Sequence, residues 1–537
     1  MLLESEMGIA KVEPATEGTQ HGEPLSRPDL ARMWLAIFHK LDSGQQRSEL
    51  LSLLRASRAA PHYSQEFLDS VMQVDQAWHP IAADLSRNFR RDPAAVTDEP
   101  VQFHREMAEL SLLFAEIYAA FVDEFRKQKA RDLPDKRLPG TTALALFHFG
   151  KSAKFLYCRN ELPGARFWQR LHSLYSLASS SGFGDERLAL FPDEEVVATC
   201  CQLWLRAIML ATASTGNLTP RQLDRAEEWL RSWCTRITID TVYDASQHIY
   251  CVDIADLRGP QRITPEQKQA KRLYLGTKHL HQDILAARTR IVEDSMITSI
   301  GWYFENPLKE YFELLDRLQH MWVLSPSAKS QRASARLPGS AGQRVEIVRG
   351  FPGIMALTSG TAGIHPDVES FSVIDHSELG FGLLALADDQ AALGLTELVA
   401  VRPQGKEWKI GVISRTTVLP MKGRLVGVHL LSRTAVLVSL TKSPTDPDSK
   451  SDALKIVYGD PPPEPPGDRA FFLVGDAVKS QADSLLAPLD AYAPGDRLKL
   501  KTASQAFLIR INRVIQTGEG WERTGFEVLE KLVTRLA

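Results

Sequence analysis

The sequence is short of the features that mark secreted, membrane-spanning and polyanion-binding chains. Its five cysteines, Cys158, Cys200, Cys201, Cys234 and Cys251, are odd in number and form no Cys-x-x-Cys pair. That excludes a disulfide framework and a zinc knuckle, and it points to buried thiols in a reducing, cytoplasmic setting. Positive charge is not in excess: 63 Lys and Arg face 66 Asp and Glu, a net charge of −3. No whole-chain field gathers nucleic acid, so any anion site is local. Long apolar runs are missing too. The richest stretches, near 143–149 and 203–213, are interrupted by Lys151 and Arg206 and fall short of the roughly 18 residues a membrane span needs. The opening residues carry acids where a signal peptide carries bases, and they have no apolar core. H-E-x-x-H, G-x-S-x-G and G-x-G-x-x-G are all absent, which leaves catalysis, cofactor and metal without a positive signal. We expect no enzyme.

What is present is ordinary globular composition, 44% apolar and 24% charged over 537 residues, enough for several domains. Residues 1–27, rich in Gly, Glu, Pro and Thr without periodicity, read as a disordered leader. Residues 28–324 read as a helical domain. Phe103, Met107, Leu110, Phe114, Ile117, Phe121 and Phe125 recur at steps of three and four and form one broad apolar stripe. Thr219-Pro220-Arg221-Gln222 and Thr264-Pro265-Glu266-Gln267 each offer an N-cap, a first-turn proline and a capping-box glutamine, so a helix is expected after each. Between them, β-branched runs over 236–263 read as an inserted hairpin.

The pattern changes after residue 324. Residues 325–350 hold Lys329, Arg332, Arg336, Arg344 and Arg349 against a single acid, Glu346, a basic linker suited to an anion. Short apolar runs punctuated by turns follow, the signature of small β-barrels. We expect an α+β chain: a helical half, a first barrel over 325–445, a Pro-rich linker over 446–467, and a second β unit over 468–537 closed by a helix.

Two motifs carry chemistry. Asp375, Ser377 and Gly380 satisfy D-x-S-x-x-G, and Arg332 and Arg336 satisfy R-x-x-x-R in the basic linker upstream. Together they resemble the PilZ domain, a bacterial β-barrel that binds cyclic di-GMP, and the last β unit resembles a degenerate second copy. The resemblance implies that Arg332 and Arg336 grip phosphates and guanines, while Asp375, Ser377 and Gly380 contact guanine from the barrel surface. The residue types suit that ligand. A guanidinium forks onto phosphate oxygens, pairs with guanine O6 and N7, or stacks on the purine. A carboxylate accepts from guanine N–H groups, and glycine admits a close approach. The spacing from Arg336 to Asp375 is long for the family, so Arg344 and Arg349 stand as alternates. As a bland alternative, the Asp375–Ser377 stretch is a strand-ending turn beside a solvated linker.

Other signals are weaker. Ala145 to Ser152 matches a relaxed phosphate-loop pattern but lacks glycine-rich variable positions and sits in a helical run. On a helix only His279 and Asp283 of the His279-Leu-His281-Gln-Asp283 cluster share a face, too few to hold a metal. Trp229 and Trp233 read as core. The resulting expectation is a non-enzymatic bacterial regulator that binds cyclic di-GMP and signals to an unidentified protein partner through its helical half. A barrel that tracks nucleic acid, less favoured by the net charge, and a protein-only adaptor are the alternatives.

Overall fold

The computed structural model describes residues 25–59, 63–91, 96–97, 100–127, 135–191, 197–213, 215–264, 272–298, 307–323, 336–340, 342–359, 366–385, 393–419, 423–432, 434–443, 468–475, 482–502 and 505–532. The chain divides into two compact units, 1–330 and 331–537.

The first unit is helical: α1 (Pro28–Phe38), α2 (Ser43–Ala59), α3 (Gln65–Arg91), α4 (Pro100–Arg126), α5 (Leu138–Cys158), α6 (Ala165–Ser180), α7 (Cys200–Thr212), α8 (Pro220–Trp233), α9 (Leu280–Thr298) and α10 (Pro307–Trp322). All seven residues of the expected stripe are buried on α4. The helix α5, which packs against α4 and α7, is apolar around its circumference, as a helix surrounded by others must be. It swallows the phosphate-loop lookalike whole. Its ionisable groups His148, Lys151 and Lys154 are paired. His148 Nε2 donates to Asp75 Oδ2 at 2.8 Å, and the Tyr118 hydroxyl donates to the same oxygen at 2.9 Å. Lys154 Nζ meets Asp224 of α8 at 2.8 Å, and Lys151 Nζ meets Glu227 at 2.6 Å. The capping box foreseen at Thr219 forms with Gln222, and a second forms between Thr199 and Gln202 at the start of α7.

Two expectations for this unit change. Leu25, assigned to the leader, is fully buried, while residues 1–24 lie outside the described residues. The expected hairpin is a four-stranded sheet of β3 (Thr238–Asp240), β4 (His248–Val252), β5 (Gln261–Arg262) and β6 (Leu273–Gly276), in the order β3-β6-β4-β5. The strand β6 pairs with both neighbours and so extends the insertion to residue 276. The helix expected after Thr264 falls on residues 265–271, outside the described residues, and the next described helix begins at Leu280. A smaller ribbon joins β1 (Leu188–Ala189) to β2 (Val197–Ala198).

The second unit holds two closed antiparallel barrels. The first is the ring β8 (Arg344–Arg349), β9 (Glu369–Ser377), β10 (Gly380–Ala385), β13 (Gly423–Leu430), β12 (Lys409–Leu419) and β11 (Leu398–Pro403), closed by the β11–β8 pairing. The short β7 (Leu337–Pro338) lies on β9, and α11 (Gly350–Ser359) follows β8. Its interior is filled by Val345, Ile347, Phe371, Val373, Phe381 and other apolar side chains. The second barrel is β14 (Ala435–Lys442), β15 (Asp468–Leu473), β16 (Ser484–Pro488), β19 (Trp521–Leu532), β18 (Ala506–Gly518) and β17 (Arg497–Lys501). Its outline corrects the expected boundaries. The strand at 435–442, assigned to the first barrel, pairs with β15 and β17 and buries Val438 and Leu440 in the second core. The Pro-rich tract is thus part of the β14–β15 connection, whose residues 444–467 lie outside the described ones. The strand β19 continues to Leu532, and residues 533–537, where the unit was expected to close in a helix, lie outside the described residues.

A separate apolar seam joins the barrels. Val348, Leu398, Ala400, Ile410 and Val412 on the outside of the first meet Phe471, Leu473, Leu486 and Trp521 of the second. Trp521 is completely buried, and its Nε1–H donates to the Thr396 carbonyl at 3.0 Å. The strand β11 is apolar at Leu398, Val399, Ala400 and Val401 because one face lines a core and the other lines the seam.

Candidate functional site

The D-x-S-x-x-G residues occupy the end of β9, the turn after it and the start of β10. Strand alternation would direct Asp375 inward with Phe371 and Val373. A bulge intervenes: Asp375 pairs with Gly382 and Val373 with Leu383, leaving Ile374 as the extra, exposed residue. The extra residue turns Asp375 to the outer face. There its Oδ1 accepts a hydrogen bond from Arg336 Nη1, and each side chain is 31% exposed. The strand β7 places that arginine, because Leu337 and Pro338 pair with His376 and Asp375. One arginine and the aspartate of the two motifs are therefore in contact across 39 residues of chain. Arg332 lies outside the described residues.

The other residues divide between barrel and surface roles. Ser377 Oγ accepts from the Leu379 N–H at 3.3 Å and shapes the turn into β10. Gly380 is buried, and a Cβ there would sit 2.1 Å from the Val428 carbonyl oxygen on β13. The glycine is required by the contact of two strands, a reason additional to the close ligand approach inferred from sequence. Of the alternates, Arg344 donates to Ser370 through Nε to the hydroxyl at 2.8 Å and Nη2 to the carbonyl at 2.9 Å. Arg349 forms a fork with Glu397 at 2.6 and 3.0 Å, a bond that raises its pKa further, and it lies 3.7 Å from Glu369. Its charge is already met by carboxylates.

Two more residues share the outer row of Asp375. The register runs Asp375–Gly382–Gly427–Arg415 across β9, β10, β13 and β12. A second bulge, with Ser414 as its extra residue, turns Arg415 outward; without it Arg415 would follow Ile413 into the core. A Cβ on Gly382 would fall 2.3 Å from Asp375 Oδ1 and 3.2 Å from Arg336 Nη1, so that pair lies down over Gly382. A Cβ on Gly427 would fall 3.3 Å from Arg415 Cβ and 3.7 Å from its Nε, so Arg415 lies over Gly427. The Ser414-Arg415 doublet breaking an apolar strand, and the isolated Gly427 in Leu-Val-Gly-Val, were the sequence signals available for this row.

Fold and face together define a helical unit followed by a tandem-barrel unit that presents guanidinium and carboxylate groups on one outer surface. Residues 29–245, within the helical unit and less than half of the chain, match the family model described as "Cyclic-di-GMP receptor FimW, N-terminal domain". The arginine-bearing barrel lies outside the matched stretch. No curated protein matches the chain. Among the described residues, no helix is long and apolar enough to cross a membrane.

Proposed function

We propose that the protein is a non-enzymatic regulator that binds cyclic di-GMP on the outer face of its first barrel, in the manner of a PilZ domain, and signals through its helical unit to a protein partner. The observation that carries this reading is the contact of Arg336 with Asp375 beside Ser377 and the buried Gly380. The family match supports it from the other end of the chain, because a cyclic di-GMP receptor shares the helical unit's sequence pattern. Chemically, Asp375 accepts from a guanine edge, Arg336 exchanges its carboxylate for purine or phosphate, and Arg332 is the second guanidinium the motif supplies.

Titration calorimetry of the full chain with cyclic di-GMP tests this. Saturable heat is expected, with Arg336→Ala and Asp375→Ala each weakening binding by about tenfold or more, the loss of one charge-assisted hydrogen bond. Arg332→Ala is expected to act in the same direction. Absence of heat, or heat indifferent to all three substitutions, refutes the proposal.

A further inference from the structure

We infer that Arg415 is a ligand-contacting residue of the barrel face, supplying the positive charge that meets a phosphate of the bound dinucleotide. The inference rests on the cyclic di-GMP reading of that face and extends it to a residue outside both motifs.

Three observations lead there. The first is charge. Arg336 and Asp375 neutralise one another, so the motif residues described in the structure bring no surplus positive charge to a dianionic ligand. Arg415 makes no hydrogen bond or ion pair among the described residues, and its side chain is exposed. It is the uncompensated guanidinium of the row.

The second is aim. Bulges on β9 and β12 independently turn Asp375 and Arg415 onto the same outer row. Without the first bulge Ile374 would take the place of Asp375 in the row, and without the second Ser414 would take the place of Arg415. Bulges that re-aim side chains gather beside functional sites.

The third is convergence. Asp375 and Arg415 are three strand spacings apart, about 14 Å along the sheet. The two glycines between them let the charged side chains lean inward, Arg336 over Gly382 and Arg415 over Gly427. Because Gly382 and Gly427 are cross-strand partners, their Cα atoms are only about 5 Å apart. Side chains at either position would hold the two guanidinium groups apart. A ligand with a base edge for Asp375 and Arg336 and a phosphate for Arg415 engages both.

The test is calorimetry with cyclic di-GMP on the full chain carrying Arg415→Ala, Arg415→Lys or Lys406→Ala. The last removes an equal charge from an exposed turn after β11. Melting curves establish that each variant is folded. Arg415→Ala is expected to bind about tenfold more weakly, equivalent to about 1.4 kcal/mol. Arg415→Lys keeps the charge and should recover to within about threefold of wild type, and Lys406→Ala should bind as wild type. The inference is overturned, with the parent reading intact, if wild type binds and Arg415→Ala binds equally well. It is also overturned if Arg415→Lys is no better than Arg415→Ala, or if Lys406→Ala loses as much. Absence of wild-type heat removes the parent reading and this inference with it.

Discussion

Replacing Gly380 by alanine separates a glycine kept for the barrel from one kept for a ligand. The new methyl would lie 2.1 Å from the Val428 carbonyl oxygen, 3.2 Å from its carbon and 3.5 Å from His429 Cα. An ordinary carbon–oxygen approach is about 3.3 Å or more, so β10 and β13 must separate locally by about 1 Å. The strain falls on the Gly380–His429 end of the ladder and on the Leu430 N–H bond to the Leu379 carbonyl at 2.9 Å. Losing one or two such bonds costs about 1 kcal/mol each, and overpacking beside Phe381 and Val428 adds about 1–3 kcal/mol. A loss of roughly 2–5 kcal/mol lowers Tm by about 4–20 °C for a unit of this size. Urea and thermal melts followed by tryptophan fluorescence and near-UV circular dichroism read it. Gly427→Ala is the control, because the nearest atoms to its methyl would be Arg415 Cβ at 3.3 Å and the Ser414 hydroxyl at 3.5 Å, both side chains and neither closer than 3.0 Å. It should stay within about 0.5 kcal/mol of wild type. If Gly380→Ala melts with the wild type, the contact with β13 is not what requires glycine there.

Trp521→Ala empties the seam and is expected to cost about 3–5 kcal/mol, whereas Trp521→Phe loses chiefly the bond to Thr396 and should cost about 1–2 kcal/mol; equal melts for the two would refute the role given to the indole N–H. Burial pushes His104 down to about 4. The unfolded chain, with His104 near 6.5, therefore binds more protons, so this histidine's contribution is full above about pH 6.5 and fades as pH falls toward 4. Helical circular dichroism at 222 nm should show a few kcal/mol lost over that interval, and His104→Leu should flatten the slope; an unchanged slope would refute the assignment. Thr219→Ala removes the cap of α8, where Thr219 Oγ1 accepts from Gln222 N at 3.2 Å and donates to Glu310 of α10 at 2.5 Å. A loss of about 1–2 kcal/mol is expected in urea melts, and a neutral result would show that α8 does not depend on its cap.

What the sequence revealed and what it concealed divide along locality. The α4 stripe and the Thr219 cap are written within a few residues, and both appear as expected. The inserted hairpin proved to be a four-stranded sheet, because β6 comes from beyond the β-branched runs and pairs with both β3 and β4. The assignment of β14 failed for the same reason. A strand's core is set by its hydrogen-bonded partners, and the proline tract resembled a boundary while connecting two strands of one barrel. At the candidate site, residue types and motif spacing were legible from the chain, and Arg336 does lie against Asp375. The outward turn of Asp375 and the alignment of Arg415 with it depend on bulges three strand spacings apart in register. No single strand's alternation contains that information.

A closed ring of strands has no inherent front or back, since every strand offers an outer surface. The seam built on Val348, Leu398, Ala400, Ile410 and Val412 ends that equivalence by committing one arc of the circumference to the neighbouring barrel. The arc from β9 to the far end of β12 is left as the open side, and the charged row lies along it. Packing between the barrels thereby gives the first one an orientation that its own six strands could not supply.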